Sequence, residues 1–389
     1  MTRQTEIVLF IDPFTYHYEN DRLFDIEGDR LGGDANLAPF VYLRDWFKGQ
    51  GIRVHTADRF VRGEIAGGRN LFVSFGMRDR YRKLAKRSDI ILSAFFAFEG
   101  PIVEPALYLG LADVQDHFKR VYTFTDAESL APFLSRPLRC ERFTIPQSFE
   151  SVHEEIWRQQ DRGFMVMING NKKPPVQEGE LYTERMRAVE HFGRTGEIDL
   201  YGVGWDGPAY VLGKPRWPGT LLKIERNLQK QWQRFRPDPL LVAARRAYKG
   251  IAVSKSETLG MYNFSICFEN QILNGWITEK IFNCFFAGTV PIYLGAPDIE
   301  SYVPRECFVD MRQFGNYEEL RRYLKSLSSS EIRQYKENSS DYLTSAQYRP
   351  FTKTAFTELV ARVVEEDAGI NLLPETAGRV VRTGAGVQL

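Results

Sequence analysis

Short apolar runs alternate with amphipathic stretches along nearly the whole chain. Apolar runs bounded by polar turns predict buried strands, here at 6–11, 52–56, 71–75, 89–95 and 119–125. Helical spacing of apolar positions fits between them, around 38–49 and 77–87. The segment 139–160 has no strong period, and FMVMING (164–170) then opens a second series. In it LYTERMRAVEHF (181–192) reads as a helix and EIDLYG as the next strand. FSICFEN follows as a strand, TEKIFNCFFAG as a helix closed by Gly288, and VPIYLG as a strand. CFVDMRQF, a helix at 316–327 and two further helical runs complete the pattern.

Strands alternating with helices favour parallel sheets, and two such series predict an α/β protein of two doubly wound, Rossmann-like domains facing a cleft. The expected division is 1–160, 161–350 and 351–389, the last being a C-terminal helix with a disordered tail. In such folds functional loops lie at the carboxyl ends of strands. A chain of 389 residues is long for a single core, which supports the division.

Composition narrows the function. Hydrophobic residues make up 43% and charged residues 26%, the proportions of a folded globular protein, and the net charge of +1 gives no global field to attract nucleic acid. Cys140, Cys267, Cys284 and Cys307 are far apart, and His17, His55, His117, His153 and His191 show no ligand spacing, so no metal site is expected. The opening MTRQTEIVLFID lacks a basic segment followed by a long apolar run, and no window offers about 20 apolar residues. With unpaired cysteines, this predicts a cytoplasmic protein. GVGWDG (202–207) formally fits a dinucleotide motif, but PAYVLGKPRWPG follows where a phosphate-binding helix should begin.

The most informative stretch is YNFSICFENQILNGWITEKIFNCFFAGTVPIYLG, 262–295. A buried strand ends in polar residues, and a helix restarts at Thr278, a natural N-cap. That helix is apolar nearly all round except Glu279, Lys280 and Asn283 near its start. A helix N-terminus with a lysine beside it is a seat for a diphosphate; the plain alternative is a capped helix with solvated charges.

FEN…WITEK…FAGTVPIYLG resembles the signature of the family-10 α-1,3/4-fucosyltransferases of bacterial type, as do APDIESYVPRECFVDMRQF, EIDLYGVGW and KRVYTFTDA. The resemblance runs from about residue 89 to 345 and is thin before 89. It implies a two-domain GT-B fold, with an acceptor-binding first domain and a GDP-fucose-binding second one. The implied reaction is transfer of L-fucose, with inversion, to a hydroxyl of an acceptor glycan, the 3-hydroxyl of GlcNAc or glucose. By the same resemblance Lys280 and Arg185 hold the donor phosphates, Glu279 contacts the donor near the fucose ring, and Asn270 shares that pocket. Thr278, Tyr201, Asn169 and Lys172 complete the expected donor set. Taken by itself, Arg185 reads as a surface arginine between Glu184 and Arg187. Glu99, which ends a buried strand before Gly100 and Pro101, matches the family's general base, although the family has serine at the position of Gly100; Glu104 is the local rival.

A leaving nucleoside diphosphate needs a metal or fixed cations, and no Asp-x-Asp follows a strand, so no cofactor is expected beyond non-essential stimulation by a divalent ion. Residues 214–249 carry ten Lys or Arg against Glu225 and Asp238. They read as a solvated basic face or as a peripheral contact with an anionic membrane bearing a lipid-linked acceptor, with Trp217, Trp232 and Phe235 adding contacts. The competing readings are a transferase of another nucleotide-diphosphate sugar and a non-catalytic sugar- or nucleotide-binding protein.

Overall fold

The structure is a computed structural model that describes residues 6–27, 36–76, 79–174, 178–212, 228, 231 and 238–374. Most of the basic stretch 214–249, with Trp217, Trp232 and Phe235, and the tail beyond 374 lie outside the described residues.

Two six-stranded sheets, each parallel throughout, carry the architecture. The first contains β1 (Ile7–Asp12), β2 (Arg53–Thr56), β3 (Arg69–Ser74), β4 (Ile91–Phe96), β5 (Arg120–Thr123) and β6 (Glu141–Arg142), in the order β2-β1-β3-β4-β5-β6. The second series comprises β7 (Gly163–Ile168), β8 (Lys172–Lys173), β9 (Ile198–Tyr201), β10 (Tyr210–Val211), β11 (Tyr248–Gly250), β12 (Tyr262–Ile266), β13 (Val290–Tyr293) and β14 (Val309–Asp310). Its sheet runs β11-β9-β7-β12-β13-β14, while β8 and β10 form a separate two-stranded ribbon. Helices cover both faces, so the inner strands are buried on either side and read as unbroken apolar runs such as IVLFID. The predicted strands and long helices are present within a few residues of their expected bounds.

GVGWDG leads through turns into β10 rather than into a helix. Asn171 Nδ2 ties that loop down by donating to the carbonyls of Gly204 (3.0 Å) and Gly207 (3.1 Å).

The chain crosses between the sheets earlier than the expected 160/161 boundary and returns at the end. Phe149, Val152 and Ile156 pack against the second sheet's core, and Trp157 Nε1 donates to the Phe285 carbonyl at 3.1 Å. A Cβ on Gly288 would lie 2.7 Å from that indole, and its φ of 62° caps the preceding helix in the left-handed region, so glycine is required twice over. The last helix, Lys353–Ala368, buries Phe356, Val360 and Val364 in the first domain's core against the helix Ala38–Gly49.

Candidate active site

At the carboxyl end of β12 the chain turns through Phe268, Glu269 and Asn270 before the helix Glu279–Ala287 begins. Glu269 is fully buried, at 0% exposure. Its carboxylate accepts from the Thr278 N–H (2.8 Å), the Thr278 hydroxyl (2.8 Å) and Lys280 Nζ (3.1 Å). Burial of a carboxylate is tolerated only when bonds of this kind replace water. Lys280 Nζ also donates to the Thr278 hydroxyl at 2.8 Å and lies 3.8 Å from Glu279. Burial lowers the lysine pKa, but Glu269 and Glu279 more than offset it and raise it above the ordinary value, so Lys280 stays charged. Thr278 occupies the N-cap position, yet its side chain does not cap the helix; the buried carboxylate takes it instead. The helix thus starts without a side-chain cap from Thr278.

Glu279 keeps 44% of its side chain exposed. Burial of its carboxyl raises the pKa, but Lys280, Lys255 and the helix N-terminus outweigh this and hold it at about 2. It is anionic at every physiological pH.

Arg185, on the helix Tyr182–Gly193, is not the surface residue its neighbours Glu184 and Arg187 suggest. It is 3% exposed. Its Nε and Nη2 donate to the Phe268 carbonyl at 3.1 and 2.6 Å, Nη2 also donates to Asn270 Oδ1 at 3.0 Å, and the guanidinium stacks over Tyr182 at 4.7 Å. Nη1 is buried without a hydrogen-bond partner among the described residues, and no carboxylate there lies in ion-pair range. Burial lowers this guanidinium's pKa below its ordinary value, outweighing Tyr182, Glu269, Glu279 and Glu180, which raise it. Asn270 thus aims Arg185.

Arg185, Lys280, Glu279 and Asn283 line one cavity of about 590 Å³ with Asn169 and Lys172, a volume suited to a nucleotide-sized ligand. Ile251, Ala252 and Val253, beyond the carboxyl end of β11, give it an apolar wall, and Lys255 adds a cation. Tyr201 is not part of this lining: its hydroxyl lies 3.4 Å from that of Tyr262, which donates to Asp199 at 2.7 Å. Glu269, Lys255 and the 251–253 wall are absent from the sequence-based set. Two signals were readable: Ser254 with Glu257 three residues on marks a helix start, and Glu269 sits inside the FEN motif.

Glu99 follows β4 in the first domain and is half-buried. Burial is the largest influence and raises its pKa to about 7; Lys280 and Lys172 pull it down, while Glu279 and Glu104 push it up. The first-domain carboxylate therefore lies in the field of the second domain's cations. Its backbone carbonyl is fixed by the Tyr108 hydroxyl at 2.6 Å. Glu104 instead lines a separate cavity of about 290 Å³ with Asp79 and Tyr81. Among the described residues no three His, Cys, Asp or Glu side chains are placed to hold a metal ion.

Residues 245–362 match the model of glycosyltransferase family 10 (fucosyltransferase), C-terminal part. An α-(1,3)-fucosyltransferase from Helicobacter pylori is 39% identical over 74 residues, 19% of this chain and 16% of that protein. An α-(1,4)-fucosyltransferase from Arabidopsis thaliana is 35% identical over 71 residues, 18% of each chain. The matched stretch thus spans less than a fifth of either relative. A sucrose-phosphate synthase from Thermosynechococcus elongatus superimposes over 94% of this chain and 99% of its own, with a TM-score of 0.55 and 10% identity, a likeness of fold that places the two sheets in the GT-B arrangement. The cavity's Glu279, Lys280 and Asn283, with Glu269 behind them, all fall within 245–362, the segment that matches the C-terminal part of the family-10 glycosyltransferases.

Proposed function

We propose that the protein transfers L-fucose from GDP-fucose, with inversion, to the 3-hydroxyl of a GlcNAc or glucose residue in an oligosaccharide or lipid-linked glycan. One observation carries the reading: Glu99, a carboxylate whose pKa burial raises to about 7, stands in the field of Lys280 and Lys172, two cations that line a nucleotide-sized cavity. A general base works best when its pKa lies near the working pH, and a leaving diphosphate needs fixed positive charge. Arg185 Nη1 and the ammonium of Lys280 supply that charge, aided by the N–H groups opening the helix Glu279–Ala287. Glu279 steadies positive charge developing near the sugar ring. The 251–253 wall receives the base, and Asn169 and Lys172 border the sugar and phosphates.

Two consequences follow. Arg185→Ala should weaken GDP binding by about 1.5–3 kcal/mol, the range for a lost charge-assisted hydrogen bond. Calorimetry giving unchanged affinity would remove Arg185 from the phosphate site. Transfer should also persist after exhaustive chelation, because side chains and backbone amides hold the diphosphate. Divalent ions are stimulatory at most. Full loss of activity with EDTA, restored by a single metal, would contradict this.

The reading places the enzyme in the cytoplasm, with 214–249 resting on an anionic leaflet that carries the acceptor. Part of that charge is already committed: Arg245 donates to the carbonyls of Trp205 and Gly207, both at 3.2 Å. No helix among the described residues is long and apolar enough to cross a membrane.

A further inference from the structure

The span between Glu269 and Thr278 leaves its own domain. Leu273 and Trp276 are buried in the first domain's core, with the Trp276 ring 4.4 Å from that of Phe124. Gln271, 1% exposed, crosses to the turn that carries Glu99: its Oε1 accepts the Ile102 N–H at 3.1 Å. That turn closes on itself through Val103 and Glu104, whose N–H groups both donate to the Gly100 carbonyl, and Ile102 depends on the glutamine. Gln271 Nε2 is buried beside the same turn with no hydrogen-bond partner among the described residues. A Cβ placed on Gly100 would lie 3.1 Å from Nε2 and 3.3 Å from Trp276 Cζ2, tighter than ordinary contact. At its other end the span is tied to the approach to Arg185: Leu181 N donates to the Asn270 carbonyl at 3.1 Å and Ile272 N to that of Gly179 at 2.8 Å. Glu269, which holds Lys280, is two residues before Gln271.

We infer that Gln271 is a positioning residue that sets the Glu99 turn against the phosphate-binding cations, and that glycine at position 100 is what lets its carboxamide lie there. The inference rests on Glu99 being the base. Gln271 reaches the turn through a hydrogen bond and a close packing contact, so it acts on the base through geometry rather than on the donor. A shift of about 1 Å at a reacting group can cost about 100-fold in rate without touching ligand affinity.

The test uses the full chain and three variants, Gln271→Ala, Gly100→Ser and the two combined, each checked by thermal melting. With GDP-fucose and an acceptor glycan, each single change should lower kcat at least tenfold while the Kd for GDP stays within threefold of wild type. Gln271→Ala lets water reach the turn, so the acid limb of its kcat/KM profile should move below pH 7, since burial is the largest influence raising Glu99, with Glu279 and Glu104 adding to it, against the pull of Lys280 and Lys172. The double variant should lose no more than the worse single one, because both changes act on one contact. Wild-type kcat and an unmoved pH limb in Gln271→Ala would overturn the inference, as would parallel loss of GDP affinity or strictly additive losses. If Gln271→Ala does not fold, Gly100→Ser alone decides, by the same split between kcat and GDP affinity. Absence of transfer by the wild-type protein would instead sink the functional reading beneath it.

Discussion

Glu99→Gln is expected to lower turnover at least about 100-fold while GDP affinity stays near wild type. A sugar hydroxyl is too weakly acidic to attack unaided, so the acceptor proton must pass to a carboxylate on the acceptor side. Glutamine keeps the shape and cannot take the proton. As the proposed base, Glu99 would be competent only when ionised, and burial raises its pKa to about 7. kcat/KM should therefore climb with pH through 7 and fall about tenfold per unit below it, a limb absent from the residual activity of the variant. Stability carries the opposite sign. Folding raises this carboxyl's pKa, so its favourable contribution is complete below the unfolded value and is lost as pH rises through about 7. Glu99→Gln should accordingly melt higher than wild type at pH 8 and no higher at pH 4. Wild-type turnover in Glu99→Gln, or failure of Glu104→Gln instead, would reassign the base.

Lys280→Ala should fail twice over. The lysine is the cationic partner of the fully buried Glu269, and breaking a buried pair from one side costs about 3–5 kcal/mol because the remaining charge is uncompensated. On the proposed reading the same change also removes a cation from the donor phosphates. Pairing it with Glu269→Gln separates the two effects: the double variant should regain most of the melting temperature and still bind GDP at least about tenfold more weakly than wild type. Recovery of GDP affinity together with stability would make Lys280 a structural residue only.

The strands and long helices were legible because a parallel strand buried on both faces has no polar alternation to confuse it. IVLFID, ILSAFF and VPIY announce themselves as runs. The direction of individual side chains was less legible. Arg185 is instructive: Tyr182, Arg185, Val189 and Phe192 share the buried face of their helix at spacings of three and four, so the pattern alone places the arginine inside. Nearby charges suggested the surface instead. Thr278 has the right identity and place for a cap, but its hydroxyl donates to the Glu269 carboxylate and accepts from Lys280 Nζ instead of from a helix N–H. Glu269 is hidden from composition because its worth depends on Lys280, eleven residues on. Tyr201 shows the limit of motif reasoning, since its hydroxyl turns to Tyr262. Long-range docking left the weakest trace: nothing local to the helix Lys353–Ala368 says that it packs on the first domain, or that Leu273 and Trp276 do.

The reaction itself is the most direct test. Wild-type protein would be incubated with radiolabelled GDP-fucose and an array of GlcNAc- and glucose-terminated glycans, and the product read for linkage and anomeric configuration. Inverting transfer gives a fucosylated glycan, joined at the 3-hydroxyl, whose anomeric configuration is opposite to that of the donor. Tight GDP binding with no label passed to any acceptor, or a product that retains the donor's configuration, would contradict it.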